Sequence, residues 1–332
     1  MTALARRSSF LSRRKLLAAG GAGGFVALTA GLRLSVPKGL DASGYRQTSR
    51  IHGEDYPFTI EDPSGVRQVL ERPPRRIMST SYPGDEALTL LVSRDRVVSV
   101  TEGVDDAGIH NSAGHFPPAV HRNRAQLEEA IAQRPDLIVA SDNTPAEVIR
   151  VLASAGIVVV RFAFYESFQL VDRNTRLIAR VLGASARADA VLADMWSRLA
   201  AVERAVAGAA RPRLLWYNMR GNSNGPGTLN DEMIELAGAS NIVRETGQTG
   251  SVSLPQEMAV SMLPEVIVLG EWTTGHQDRE FILSSPAWRN VPAVRHGRIH
   301  VINSAWGTTG SPYRVRGVEQ LASVLHPERF IR

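Results

Sequence analysis

Aromatic and basic side chains stand where a chain of alternating strands and helices would gather them. Tyr82, Asn143, Tyr165, Tyr217, Arg220, Trp272 and Trp306 each follow closely on a short β-branched run, and Arg314 comes just beyond, entering the last helical stretch. In open α/β sheets, ligands sit beyond the carboxyl ends of the strands. Rings with a few guanidinium groups there suit a bulky, flat or anionic chelate, because arginine pairs two-pronged with planar oxyanions and rings cover apolar faces. Some of these aromatics could instead pack the surface of their own lobe. His110 and His115 lie in a loop marked by Gly114 and Pro117-Pro118, which is not the helical spacing of a zinc pair. They are candidates for direct metal ligation, but the remaining histidines carry no metal spacing and a bare ion needs three or four converging ligands. The pocket therefore suits a metal that arrives already complexed.

The elements that must position these residues are legible as a series of α/β units. Short apolar runs at 77–81, 97–101, 137–141 and 157–162 predict buried parallel strands, separated by helices at 125–133 and 144–155. A second series has strands at 213–218, 266–270 and 299–303 with helices at 229–237 and 316–325. Residues 128–139 superpose on 257–268 at a constant shift of 129: each stretch is a helix, a proline, an acidic residue and a buried strand. Between the series, 185–208 is rich in Ala, Arg, Leu and Glu without Pro or internal Gly, which predicts a helix of about 35 Å. The expected fold is α/β, with two Rossmann-like lobes joined by a long bridging helix: a first lobe at 54–184, the bridge at 185–208 and a second lobe at 209–332.

The first 40 residues read as an export leader. Ser12-Arg13-Arg14-Lys15-Leu16-Leu17 followed by a Gly/Ala-rich uncharged stretch is the twin-arginine layout, and the run is too short and glycine-diluted for a spanning helix. Residues 31–53 read as a flexible leading segment. The net charge of +5 comes from this region: residues 1–40 hold seven basic residues and no acid, so 31 Lys+Arg face 33 Asp+Glu in the remainder. That body has no basic surplus with which to displace counterions from a nucleic acid. With no cysteine, the chain can form no disulfide, thiolate site or lipid anchor on an N-terminal cysteine, and the expectation is a protein free in a periplasm-like space.

The ordered stretches 74–91 (PRRIMSTSYPGDEALTLL), 96–101 (RVVSVT), 127–139 (LEEAIAQRPDLIV), 227–243 (GTLNDEMIELAGASNIV), 252–269 (VSLPQEMAVSMLPEVIVL) and 286–302 (PAWRNVPAVRHGRIHVI) resemble the successive signatures of the iron-siderophore, haem and vitamin B12 binding proteins of ABC importers. The resemblance covers about 57–330. It implies one ligand held between two lobes, no resident cofactor, and delivery to a permease in the cytoplasmic membrane. It also implies docking through one exposed glutamate per lobe, and the matching positions are Glu128 and Glu235. An iron chelate, a ferric siderophore, is the expected cargo; haem or a corrinoid are the alternatives. Tyr82 with His110 or His115 would favour haem, and Arg220 with Arg314 an anionic siderophore.

An exported enzyme on the same scaffold is the rival class. The chain carries no G-x-S-x-G elbow, P-loop or G-x-G-x-x-G after a strand, and the acid pairs Asp105-Asp106 and Asp231-Glu232 read as loop and helix-start residues. No enzymatic activity is expected.

Overall fold

A computed structural model describes residues 48–163, 166–270 and 275–330; the leader, Phe164, Tyr165 and Trp272 lie outside them. The described chain opens with an antiparallel meander, β1 (Arg50–His52), β2 (Phe58–Glu61) and β3 (Arg67–Leu70). Thus strand structure begins inside the stretch expected to be a flexible leading segment. The first parallel sheet follows: β4 (Ile77–Ser79), helix α1 (Tyr82–Leu91), β5 (Val97–Thr101), β6 (His121–Asn123), α2 (Leu127–Gln133), β7 (Leu137–Ser141), α3 (Ala146–Ser154) and β8 (Val158–Phe162), in the order β6-β5-β4-β7-β8. Leu137, Ile138, Val139 and Ala140 of β7 are all buried, as a strand covered by helices on both faces must be.

The outer edge of β8 is closed by side chains of the meander. Ser49 and Gln68 each exchange two hydrogen bonds with its backbone, at Arg161 and Val159, and Arg161 Nε lies 2.7 Å from the buried Asp62 carboxylate. An exposed row of unpaired strand groups is thereby removed.

After α4 (Phe168–Leu182), Gly183 takes φ 68° and turns the chain into α5 (Ser185–Val206). At 1.5 Å per residue this 22-residue helix is about 33 Å long. Its buried residues Ala188, Leu192, Met195, Leu199, Val202 and Val206 recur at intervals of three and four, one continuous stripe. That stripe belongs to a core that also takes in Leu88 and Val139 from the first lobe and Leu214 and Val266 from the second.

The second lobe comprises β9 (Arg213–Tyr217), β10 (Asn222–Asn224), α6 (Leu229–Leu236), β11 (Ser240–Asn241), β12 (Ser251–Ser253), α7 (Gln256–Ser261), β13 (Val266–Gly270), α8 (Gly275–Ser284), α9 (Pro292–Arg295), β14 (Ile299–Ile302), α10 (Ser304–Gly307) and α11 (Val315–Leu325). Its parallel sheet runs β11-β9-β13-β14, and β10 pairs with β12 as a separate antiparallel ribbon. α11 returns along α5, where Arg198 and Glu319 pair at 2.6 Å.

The sequence repeat has a hydrogen-bonded counterpart. In the first lobe the Asp136 carboxylate accepts from the Arg76 amide (2.9 Å), and the Arg76 guanidinium donates to the Arg134 carbonyl (3.0 Å). In the second, Glu265 accepts from the Arg213 amide (2.8 Å), and the Arg213 guanidinium donates to the Leu263 carbonyl (3.1 Å). The two lobes are one design used twice.

Candidate functional site

All strands of each parallel sheet point the same way, so the loops after β4, β5, β6 and β7 share one edge of the first lobe. Tyr82 occupies the first position of α1 there, 38% exposed. Its surroundings fix it. Its ring meets His110 edge-on at 5.2 Å; a Cβ on Gly103 would collide with its hydroxyl; and one turn further along α1 the buried Asp85 carboxylate accepts from the Thr101 amide (3.2 Å) and hydroxyl, pinning the helix to the end of β5. Burial holds the Tyr82 phenol above its ordinary pKa, and the charges of Asp85, Glu102 and Asp106 push it further the same way. Tyr82 is thus a neutral phenol in acidic surroundings. Arg122 pairs with Asp105 (2.8 Å) and Arg124 with Glu102 (2.7 Å), so two arginines answer five acids, Asp85, Glu86, Glu102, Asp105 and Asp106.

His110 does not line a ligand site. It is 1% exposed, Nδ1 accepts from the Ser112 amide (3.1 Å), and Nε2 faces Asp85 at 3.4 Å. An Nδ1 that accepts leaves the ring proton on Nε2, directed at the acid. His115 is half-buried edge-on to Phe116, and burial, with Arg94 and Arg187 nearby, keeps its imidazole neutral. Among the described residues no group of three or more His, Asp or Glu is arranged to hold a metal ion.

Two further expectations are corrected. Tyr217 is 1% exposed: it points into the second-lobe core, packs on Trp288 at 5.6 Å and donates to the Leu254 carbonyl (3.2 Å). Side chains alternate across a strand, so Tyr217 shares the face of Leu215 while Trp216 joins the opposite core. Arg314 is equally buried, its guanidinium donating to the Gly307 and Thr309 carbonyls and to the Asn230 side chain. It braces a turn. Arg220 is exposed in the tight turn between β9 and β10, and Asn143, after β7, accepts from Ser141 (2.5 Å). Tyr165 and Trp272 lie outside the described residues.

Trp306, half-buried in α10, sits on a second-lobe segment joined to the Tyr82 helix through a polar network that the sequence reading missed. The Glu86 carboxylate, 1% exposed and one helical turn from Tyr82, accepts from the Asn111 amide (3.1 Å) and side chain (2.8 Å) and from the hydroxyls of Thr309 and Ser311 (2.5 Å for the latter). Asn111 also donates to the Ala305 carbonyl (2.5 Å), next to Trp306. A second interlobe contact runs from the Phe168 amide to Glu232 (2.7 Å). In sequence, Asp85-Glu86 looks like an ordinary acidic helix start; only its position inside an otherwise apolar helix hinted at burial.

A small cavity of about 40 Å³, lined by Thr80, Leu127, Ala130, Ile138, Thr144 and Val148, lies between α2, α3 and the first sheet, within one lobe and too small for a chelate. Of the two glutamates matched to a docking role, Glu128 is exposed in the first turn of α2. Glu235 is not presented in that way: Arg211 (2.6 Å) and Arg244 (3.4 Å) of its own lobe engage it.

The family model described as "Periplasmic binding protein" matches residues 79–305. A cobalamin-binding protein of Halobacterium salinarum is 28% identical over 284 residues, 82% of this chain and 74% of that protein. Among solved structures, the molybdate periplasmic binding protein MolA of Haemophilus influenzae, bound to molybdate, superposes with a TM-score of 0.69 at 19% identity, covering 82% of this chain and 92% of that one. The periplasmic haem-binding protein RhuT of Roseiflexus sp. RS-1 does so with 0.64 at 20% identity, covering 77% and 99%.

Proposed function

Given that the chain belongs to the periplasmic binding protein family, the solute receptors of ABC importers, we propose that its cargo is a neutral metal chelate of the corrinoid class, captured between the two lobes and handed to a permease. The observation that carries this reading is that His110 and Arg314, the groups that would favour haem or an anionic siderophore, are both buried and committed inside the protein. Burial and the neighbouring acids disfavour the phenolate that iron ligation by Tyr82 would need, and His110 is held by Ser112 and Asp85, which weakens the haem reading. The argument for an anionic siderophore needed Arg220 together with Arg314, and Arg314 is spent on internal carbonyls. Glu102, Asp105 and Asp106, exposed beside Tyr82, disfavour a catecholate polyanion, whereas an electrically neutral corrin meets only rings and amides. The cobalamin-binding relative, alike over four-fifths of this chain, supports the same choice. A ferric siderophore is the alternative cargo.

For docking, the repeat supplies a better partner for Glu128 than Glu235. At the shift of 129 the equivalent of Glu128 is Glu257, exposed in the first turn of α7 as Glu128 is in α2. We assign the pair Glu128 and Glu257 to the permease, and the twin-arginine leader to export before capture. No helix among the described residues is long and apolar enough to cross a membrane.

The test is a titration of the purified protein with cyanocobalamin, a ferric catecholate, a ferric hydroxamate and hemin, followed by tryptophan fluorescence. Micromolar or tighter quenching by cyanocobalamin alone is expected. A ferric chelate that quenches where cyanocobalamin does not, or a hemin Soret band lost in Tyr82→Phe, overturns the assignment.

A further inference from the structure

A carboxylate buried at a lobe boundary needs several donors to offset its lost hydration, and where those donors come from determines what it holds together. Glu86 draws on both lobes: Asn111 belongs to the first, and Thr309 and Ser311 to the second. Neither set suffices alone, since each leaves lone pairs of a buried charge unmet. Tyr82 and Glu86 lie four residues apart on α1 and so share one face of that helix. Ala305, Thr309 and Ser311 flank Trp306, and Arg314 ties the same turn to Asn230 of α6. A continuous set of contacts thus runs from Tyr82 through α1 and Glu86 to the segment bearing Trp306. Pro83, Ala87 and Phe162 of the first lobe close against Gly310, Ser311 and Pro312 beside it.

We propose that Glu86 is a positioning residue, an interlobe clasp that sets the spacing between the Tyr82 helix and the Trp306 segment and so the width of the empty cleft. The helix α5 alone cannot do this: it fixes the lobes along its axis, but a strut joined at one side leaves the opposite rim able to rock. Glu86 and the Glu232–Phe168 contact supply fastening away from that single connection. The proposal deepens the ligand reading in that the two elements it clasps carry Tyr82 and Trp306, one on each side of the cleft, yet the clasp itself is defined without any ligand.

The chain contains no cysteine, so a pair of spin labels can be introduced cleanly at the exposed Arg150 and Arg289, one per lobe. Distance distributions are measured without ligand in otherwise wild-type protein, in Glu86→Ala, in Glu86→Gln and in Thr309→Val/Ser311→Ala, the last leaving the Glu86–Asn111 bonds intact. The wild type is expected to give one narrow peak. Glu86→Gln should retain it, because the amide keeps an acceptor and the hydroxyls can rotate to meet its donor. Glu86→Ala and the double variant should broaden or displace it by about 2 Å or more, the scale of small interface shifts. If Glu86→Ala fails to fold, the double variant still decides. A double-variant distribution that superimposes on the wild type overturns the clasp, and so does a Glu86→Gln as broad as the double variant. Because no cargo is present, a chain that fails to bind cyanocobalamin refutes the ligand reading and leaves this result standing.

Discussion

Arg134 and Leu263, 129 residues apart, close equivalent helices in the same left-handed conformation, φ 46° and φ 50°, and each offers its carbonyl to an arginine at the start of a neighbouring strand. Neither is a glycine or an asparagine, the residues that adopt this conformation readily. The strain is retained because the turn sets the proline and acid that follow, and the acid fastens the helix–strand unit to the adjacent strand.

Replacing Leu263 by glycine should therefore stabilise the protein by about 1 kcal/mol, the left-handed penalty less the extra freedom that glycine gives the unfolded chain. Leu263 is 49% exposed, so little apolar burial is lost. Urea denaturation measures it, and a destabilised Leu263→Gly would show that the side chain packs more than its exposure suggests.

Tyr82 rests on the absence of a side chain at Gly103. Gly103→Ala should push the ring out of place and lower cargo affinity about tenfold, about 1.4 kcal/mol, with the melting temperature nearly unchanged. Unaltered affinity for cyanocobalamin would separate Tyr82 from the binding site.

Tyr217 should behave in the opposite way. Tyr217→Phe removes a buried hydrogen bond to Leu254 and should cost about 1 kcal/mol of stability, leaving cargo affinity alone. A stable variant with weakened binding would return Tyr217 to the cleft.

These contrasts mark what the sequence could express. Parallel strands were legible because residues such as Leu137–Ala140 are apolar without interruption, and α5 because its stripe repeats every three or four residues. The strand-end rule locates residues along a strand but says nothing of the face, and a single step in register separates the buried Tyr217 from the opposite side of the sheet. Arg314 looked available because its partners, the Gly307 and Thr309 carbonyls and the distant Asn230 side chain, form no motif. The meander at 50–70 escaped notice because Ser49 and Gln68 fasten it to β8 through side chains. Glu235 was matched by motif alone, without the repeat, in which Glu128 corresponds to Glu257.

Glu232 gives the protein a pH dependence. Burial raises its carboxyl pKa above the ordinary 4.5; the Phe168 amide draws it down, Asp231 pushes it up and Arg314 draws it down, leaving it raised. The folded chain then holds this proton at pH values where the unfolded chain has released it. Its contribution to stability is complete below pH 4.5 and is lost as the pH rises through the raised folded value. Glu232→Gln, which keeps an oxygen for Phe168, should flatten that decline in denaturation measured from pH 4 towards neutrality. An unchanged slope would remove Glu232 as its source.

Charge reversal separates docking from capture. Glu128→Arg and Glu257→Arg should each weaken uptake by cells carrying the cognate importer while leaving cargo affinity and stability at wild-type levels, because both side chains are exposed in helix first turns. Glu235→Ala should instead lower stability by up to about 1 kcal/mol by freeing Arg211 and Arg244, with uptake falling only as far as folding does, because the pair is partly exposed and solvent-screened. Transport lost in Glu235→Ala at full stability, with Glu257→Arg transporting normally, would restore the docking role to α6. The repeat is the ground for preferring Glu257 as the partner of Glu128: α2 and α7 are equivalent helices of the two lobes, whereas α2 and α6 are not.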